Sequence, residues 1–367
     1  MRRPGIVAWL VALAVTVAAC SDSEPPRSAA TDGDSPVASP QAAATPGELG
    51  DAESFGGQTT PAEANGTAPA EANGDDGGMA QSGWNTLTPS GSPRTEVAAA
   101  AHLDKVWAVG GLDGDGAASA DVDVYAPTFD AWEPGPPLPR AVHHAAVVAH
   151  DDDLLVVGGY VGDGFDTPTD AVWRLDSATG RWQPGPALPG ARAAGAAASD
   201  GDRVIYAGGV GPQGVAGDVW ALADGAWRRL DGLAQPREHL AAAGDAGRVW
   251  LLGGRTGGLK SNVAAVDLVD GDAATPIGKL PTARGGLAGF FHPEVGACAV
   301  GGEGPQATFA EVECLDADGD TDTLASLGRA RHGLGAAVAG DIAYAVMGGP
   351  QPGLVVSDTI EGLTLNS

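Results

Sequence analysis

The feature that most constrains this chain is a Gly-Gly pair that returns six times, at Gly110-Gly111, Gly158-Gly159, Gly208-Gly209, Gly253-Gly254, Gly301-Gly302 and Gly348-Gly349, at intervals of 45 to 50 residues. Each pair closes a short apolar run: Val106 to Val109, Leu154 to Val157, Val204 to Ala207, Val249 to Leu252, Ala297 to Val300 and Ala343 to Met347. A run of that length ended by glycines reads as a strand whose chain must then turn through positive φ or pass close to a neighbour. Regular repetition of such units, each long enough for several strands, predicts a propeller.

Each unit divides into four strands. The first follows an Arg and is rich in small apolar residues. The second ends at the glycines. The third is Val- or Leu-rich, as in Ala171 to Leu175, and the fourth begins at a Trp and leads into a Pro-rich turn, as in Trp132 to Pro139. Polar and apolar residues alternate only partly, as expected where neighbouring sheets cover both faces. These residues resemble the kelch repeat family. The second unit carries nearly the whole pattern: Arg140, His143, Ala145 to Val147, Leu154 to Gly159, Val172 to Asp176, Trp182 and Pro186 to Pro189. Similar sets surround Arg94, Arg192, Arg237, Arg284 and Arg331, so the resemblance covers the whole folded region. The fourth-strand Trp is present at Trp84, Trp132, Trp182 and Trp227; Pro276-Ile277 and Leu324 stand in its place in the two units that lack it.

The resemblance implies an all-β, six-bladed kelch-type β-propeller over residues 83–367. The way the repeat is cut predicts its closure. The folded region opens at Trp84 on a fourth-strand sequence and ends near Ile360 on a third strand with no fourth. An open ring would expose two long pairing-competent edges, so the N-terminal strand is expected to complete the last blade, with residues around Trp84 beside residues around Ile360.

Residues 1–19 read as a signal peptide. Arg2 and Arg3 precede an apolar run from Ile6 to Val17 that is short for a bilayer span and ends in small residues. The tetrad Val17-Ala18-Ala19-Cys20 resembles the bacterial lipobox, which makes Cys20 the acylated residue and the expected location the extracytoplasmic side of a bacterial membrane. Residues 20–82 are Ala, Pro, Gly, Ser, Thr, Asp and Glu with almost no large apolar side chains, and contain a duplicated hexapeptide at Pro61 to Gly66 and Pro69 to Gly74. Such a segment cannot bury enough surface to offset its ordering entropy and is expected to be a disordered tether spanning roughly 45 Å.

The chain carries 20 Lys+Arg against 47 Asp+Glu, a formal net charge of −27, and loss of Arg2 and Arg3 with the signal would leave it more acidic still. That balance sets aside nucleic acid as a partner and leaves basic proteins, divalent cations and neutral glycans open; the expected partner is an envelope protein or a glycan, bound by a monomer. Three Cys do not make a disulfide-built fold. Cys298 and Cys314 fall on neighbouring antiparallel strands of one blade, where either a disulfide or two packed thiols fits.

One Arg per unit, at Arg94, Arg140, Arg192, Arg237, Arg284 and Arg331, precedes the innermost strand and so is expected near one mouth of the central channel. Six guanidinium groups about one axis need carboxylates or a bound anion between them, which makes the mouth a candidate sugar-acid site unless each Arg is answered locally. His143, His239 and His332 lie beside three of these arginines and are candidate acid–base or ligand-binding groups. No catalytic residue, metal ligand or cofactor is assigned. The acidic cluster from Asp316 to Asp322 begins like a calcium loop but carries Thr321 and Leu327 where that loop needs Gly and Glu. Enzymes on similar propellers set two precedents. Galactose oxidase-like enzymes use Tyr, His and a Tyr-linked Cys for copper, and the few tyrosines and paired cysteines here do not match. Sialic acid mutarotase-like proteins are a closer architectural match, with no residue-level motif to carry over. The expected function is therefore ligand binding through the loops, with a carbohydrate-active enzyme as the alternative. The second-to-third strand loops at 112–120, 160–169 and 303–308 differ most between units.

Overall fold

A computed structural model describes residues 83–365, so the signal segment 1–19, Cys20 and the linker 20–82 lie outside the described residues. Six four-stranded antiparallel sheets are arranged as the blades of a propeller. The innermost strands are Ala98–His102, Ala146–His150, Ala196–Ser199, Ala241–Asp245, Ala288–His292 and Gly335–Ala339, and each packs beside those of the two adjacent blades. Their alanines and glycines follow from this convergence. Six backbones meeting at one axis leave little room for side chains, and the residual channel is a cavity of about 340 Å³ lined mostly by alanine and glycine. The second strands, such as Asp153–Val157 and Arg248–Leu252, lie one layer out and are almost wholly buried because blades cover both of their faces.

The glycine pairs work as the sequence reading proposes, with one change of register. In the first five pairs the leading Gly has φ of +55° to +67° and the second +89° to +110°. A Cβ on the leading Gly would come within 2.4–2.9 Å of a carbonyl oxygen on the following blade. In the last blade these two places are taken by Met347, at φ +56°, and Gly348, at φ +92°. The matching unit is therefore Met347-Gly348, and Gly349 belongs to the next position. The Met347 side chain is fully buried against Val97, Ala108 and Trp132, where blade 6 meets blade 1.

The ring closes as expected. Asn85 and Thr86 pair with Gly362 and Glu361, and the amide of Leu87 donates to the Ile360 carbonyl at 3.0 Å, so the first described strand is the outer strand of blade 6. The four outer-strand tryptophans then form a series. The indole N–H groups of Trp84, Trp132, Trp182 and Trp227 each donate at 2.8 Å to a carbonyl of the preceding blade: Ala325, Thr88, Pro136 and Pro186. Blades 4 and 5 lack such a Trp. Between them Trp250, from a second strand, stacks on Phe291 and reaches the Asp316 carbonyl at 3.3 Å. Within blade 5, Cys298 and Cys314 stand directly opposite each other and are joined by a disulfide.

Candidate functional site

Every inner strand is entered through three residues that do different work. At the first of them, five blades carry a buried arginine. Arg237 pairs with Asp267 at 2.7 Å and donates to the Leu251 carbonyl at 3.1 Å. Arg284 pairs with Glu313 at 3.0 Å and donates to the carbonyls of Glu311 and Ala299. Arg94 pairs with Asp123, Arg192 with Asp218 and Arg331 with Glu361. Each guanidinium thus ties the entry of its blade to the second or third strand. None of these five is left to face a ligand, and the mouth is not an arginine-lined anion site.

Arg140 differs from the other five. It is exposed and lies two residues too early; Val142 occupies the arginine place in blade 2. The backbone explains why a valine suffices. The Val142 carbonyl accepts the Gly111 amide at 2.9 Å, just as the Arg192 carbonyl accepts Gly159 and the Arg237 carbonyl accepts Gly209.

Two residues after each arginine place stand Glu96, His144, Ala194, His239, Gly286 and Gly333, all in left-handed backbone with φ from +51° to +64°. The amide of His144 donates to Glu96, Ala194 to His144, His239 to Ala194, Gly286 to His239 and Gly333 to Gly286, at 2.7–3.2 Å, and Val97 completes the circuit by donating to Gly333. This hydrogen-bonded ring narrows one mouth of the channel. Left-handed backbone is cheap for Gly but costs a side-chain-bearing residue about 1 kcal/mol or more, so Glu and two His here are not the residues that backbone stability alone would favour.

The remaining entry residue, between the arginine place and the ring, pairs with the residue that follows the glycines: His143 with Tyr160, Glu238 with Arg255, Gly285 with Glu303 and His332 with Gly349. The ring and these pairs bring a polar cluster together. His144 Nε2 lies 3.2 Å from Glu96 Oε2. His332 Nδ1 lies 3.4 Å from Glu96 Oε1 and 3.5 Å from Glu303 Oε2. Arg255 spans the other side, with Nε 2.8 Å from Glu238, Nη1 3.0 Å from Glu303 and Nη2 2.8 Å from His239 Nε2. His239 Nδ1 faces Glu238, and His143 joins through Nδ1, 2.6 Å from His144 Nδ1.

Burial and mutual charge push these groups in opposite directions. Burial holds the His144 imidazole down to about 4, against the opposing pull of Glu96, and with Arg255 it holds His239 well below its ordinary value. Burial also depresses His332, but the Glu96 carboxylate beside its Nδ1, followed by Glu303, reverses this and leaves it above the ordinary value. Burial raises Glu303. It acts the same way on Glu96, where His144, His332 and His239 outweigh it and hold the carboxyl well below the usual range. Glu96 thus favours the protonated form of His332, whereas burial keeps that of His144 disfavoured.

Of the residues singled out from sequence, His143, His239 and His332 meet in this cluster. Arg94, Arg192, Arg237, Arg284 and Arg331 lie beside it as structural pairs, and Arg140 lies outside it. Glu96, His144, Glu238, Arg255 and Glu303 were not anticipated. The usable signal was the alignment of the six entries, in which Glu96 falls on the same place as His239. The acidic runs lie elsewhere and serve their own turns: Asp113 accepts the amides of Asp115 and Ala117, and Asp316 those of Asp318 and Asp320.

Residues 93–139 and 141–189, the first two units of the repeat, match the family model described as the kelch motif. No curated protein matches the chain. Among solved structures, one titled "Structure of YjhT" is similar with a TM-score of 0.63 at 13% identity, over 74% of this chain and 95% of that one. A likeness at that identity shows the shared fold.

Proposed function

We infer that this chain, a member of the kelch-repeat β-propeller family, is a membrane-tethered extracytoplasmic module that binds a glycan at the ring end of its channel. Acylated Cys20 holds it to the bilayer and residues 20–82 carry the propeller away from the surface. The observation that carries the binding reading is the ring itself. Side chains that disfavour left-handed backbone occupy it at Glu96, His144 and His239, and they converge with Glu303, Arg255 and His332. Phe165 supports a sugar over a protein surface. It is 59% exposed, with its ring 5.1 Å from His143 and 5.3 Å from His144. An apolar plate beside a compact set of charged donors and acceptors suits the C–H face and hydroxyls of a pyranose.

The test is saturation-transfer NMR on the full chain with a panel of neutral and acidic monosaccharides. Saturable binding that is lost in Phe165→Ala and Glu303→Gln is expected. No saturable signal from any sugar would overturn the glycan reading, and recovery of one specific envelope protein by crosslinking would favour a protein ligand in its place. The tether is tested by palmitate labelling in a bacterial host, with the label lost in Cys20→Ser.

A second reading, a sugar-acid mutarotase or related carbohydrate-active enzyme, draws on the separation of proton affinities inside the cluster. His144 is held down and His332 up around one carboxylate, the arrangement that general acid–base pairs require. Acceleration of anomer exchange of sialic acid, followed by NMR and lost in His332→Gln, is its expected signature; an unaccelerated exchange rejects it.

A further inference from the structure

The hydrogen bonds around the ring fix which way its imidazole lone pairs face. The Gly164 carbonyl lies 3.1 Å from His143 Nε2 and must receive an N–H from it. With one proton on each ring, His143 Nδ1 is then an acceptor, and His144 Nδ1 at 2.6 Å must donate to it. The lone pair of His144 Nε2 is left facing Glu96 Oε2 at 3.2 Å, two electron-rich atoms with no hydrogen to join them. His239 repeats the arrangement. Its Nδ1–H is taken by the Glu238 carboxylate, which leaves Nε2 as an acceptor, and Arg255 Nη2 reaches it at 2.8 Å. One ligand atom each from Glu96, His144 and His239 can be chosen so that all three lie within 4.8 Å of one another.

The geometry points to a mononuclear divalent-metal centre held by Glu96, His144 and His239 at the ring end of the channel. Two tetrahedral ligands at metal bonds of about 2.0–2.1 Å stand about 3.4 Å apart. His144 and Glu96 already have that separation, and His239, with a ligand atom within 4.8 Å of both, reaches it by a side-chain movement that gives up its contact with Arg255 Nη2. Arg255 keeps its bonds to Glu238 and Glu303 when that happens. The supporting contacts are those that metal-bound imidazoles use: Glu238 behind His239, and His143 relayed to a backbone carbonyl behind His144.

Charge favours the same occupant. Glu96, Glu238 and Glu303 are set against a single guanidinium, Arg255, which pairs with two of them. Glu303 Oε2 and His332 Nδ1 are buried without a hydrogen-bond partner, although Glu303 is only 4% and His332 only 2% exposed. A divalent cation reduces that excess of buried negative charge. Two imidazoles and one carboxylate suit zinc, cobalt or ferrous iron better than calcium or magnesium, and three protein ligands leave a position open. The acidic run from Asp316 to Asp322, which begins like a calcium loop, plays no part in it. The inference does not depend on the glycan reading, since the ligands are complete without a sugar.

The full chain, freed of metal by chelator and dialysed, is titrated with Co²⁺ and then Zn²⁺, with no sugar present. About one equivalent of Co²⁺ per chain, giving visible absorption that Zn²⁺ displaces, is expected. Glu96→Gln, His144→Asn and His239→Asn should each weaken uptake on the order of 100-fold, Asn being chosen because it tolerates left-handed backbone. Glu238→Gln should weaken it by roughly 10-fold or more, while His150→Gln, on an inner strand outside the cluster, should leave it unchanged. Far-ultraviolet circular dichroism reports whether each variant is folded. Absence of stoichiometric uptake by the unaltered chain overturns the centre, as does uptake that survives intact in folded Glu96→Gln and His239→Asn.

Discussion

Arg237 and His239 are two residues apart on the same strand entry, and they belong to different parts of the molecule. Arg237 is fully buried and answered in place by Asp267 and a backbone carbonyl, in an arrangement that four other blades repeat. His239 sits in strained backbone, and its contacts run to Glu238, Arg255 and His144, residues whose counterparts in blade 3 are Ala193, Val210 and Ala194. What the blades share ties each blade together. What they do not share gathers at the mouth. The contrast teaches that a polar residue near a propeller axis is functional or structural according to whether its own blade already satisfies it.

The largest effect expected from breaking this contrast is on the shared side. Asp267→Ala strands a buried guanidinium and should cost about 3–5 kcal/mol in urea unfolding, whereas His239→Asn, with its backbone strain eased, should stay within about 1 kcal/mol of the parent. Reduction of the Cys298–Cys314 disulfide, which closes a short loop between residues 16 apart, should cost about 3 kcal/mol and act within blade 5, leaving the mouth untouched.

A pH effect of up to a few kcal/mol belongs to the mouth. His144 is held down to about 4, so the unfolded chain takes up its proton first as pH falls. Stability should therefore decline between roughly pH 6.5 and 4, and His144→Asn should flatten that part of the profile. His332 has the opposite sign: raised in the fold, it contributes stability below its unfolded value that is lost as pH rises through its folded one. The smallest effect should be that of Arg140→Ala. Exposed and without a partner carboxylate among the described ion pairs, Arg140 should change stability by less than about 0.5 kcal/mol in urea unfolding.

These expectations also mark what sequence alone conveys. Blade number, closure through Trp84 and the buried second strands were legible because each follows from a repeated local pattern and from the need to leave no open sheet edge. The last register differs from the sequence pattern by one residue because Met347 takes a glycine's place at positive φ, which burial against Val97 and Trp132 sustains. Arg140 misled for a related reason: the repeat uses the carbonyl at that place more strictly than the guanidinium, so Val142 serves and the nearby arginine is incidental. The cluster itself was hidden by distance. Glu96, His144, Glu238, Arg255, Glu303 and His332 come from five blades, and no local spacing links them. Only when the six blades are superposed do Glu96 and His144 share the ring place, Glu238 and His332 the place before it, and Arg255 and Glu303 the place after the glycines.

The central claim is that the mouth holds a buried, mutually coupled set of titratable groups that the ring does not need in order to stand. A pH titration of the seven histidines by NMR tests it most directly. His144 should titrate near 4, His239 should stay neutral well below the ordinary histidine range, and His332 should titrate above it. If all three titrate together near the ordinary value of about 6.5, the cluster is solvated and uncoupled, and the claim is wrong.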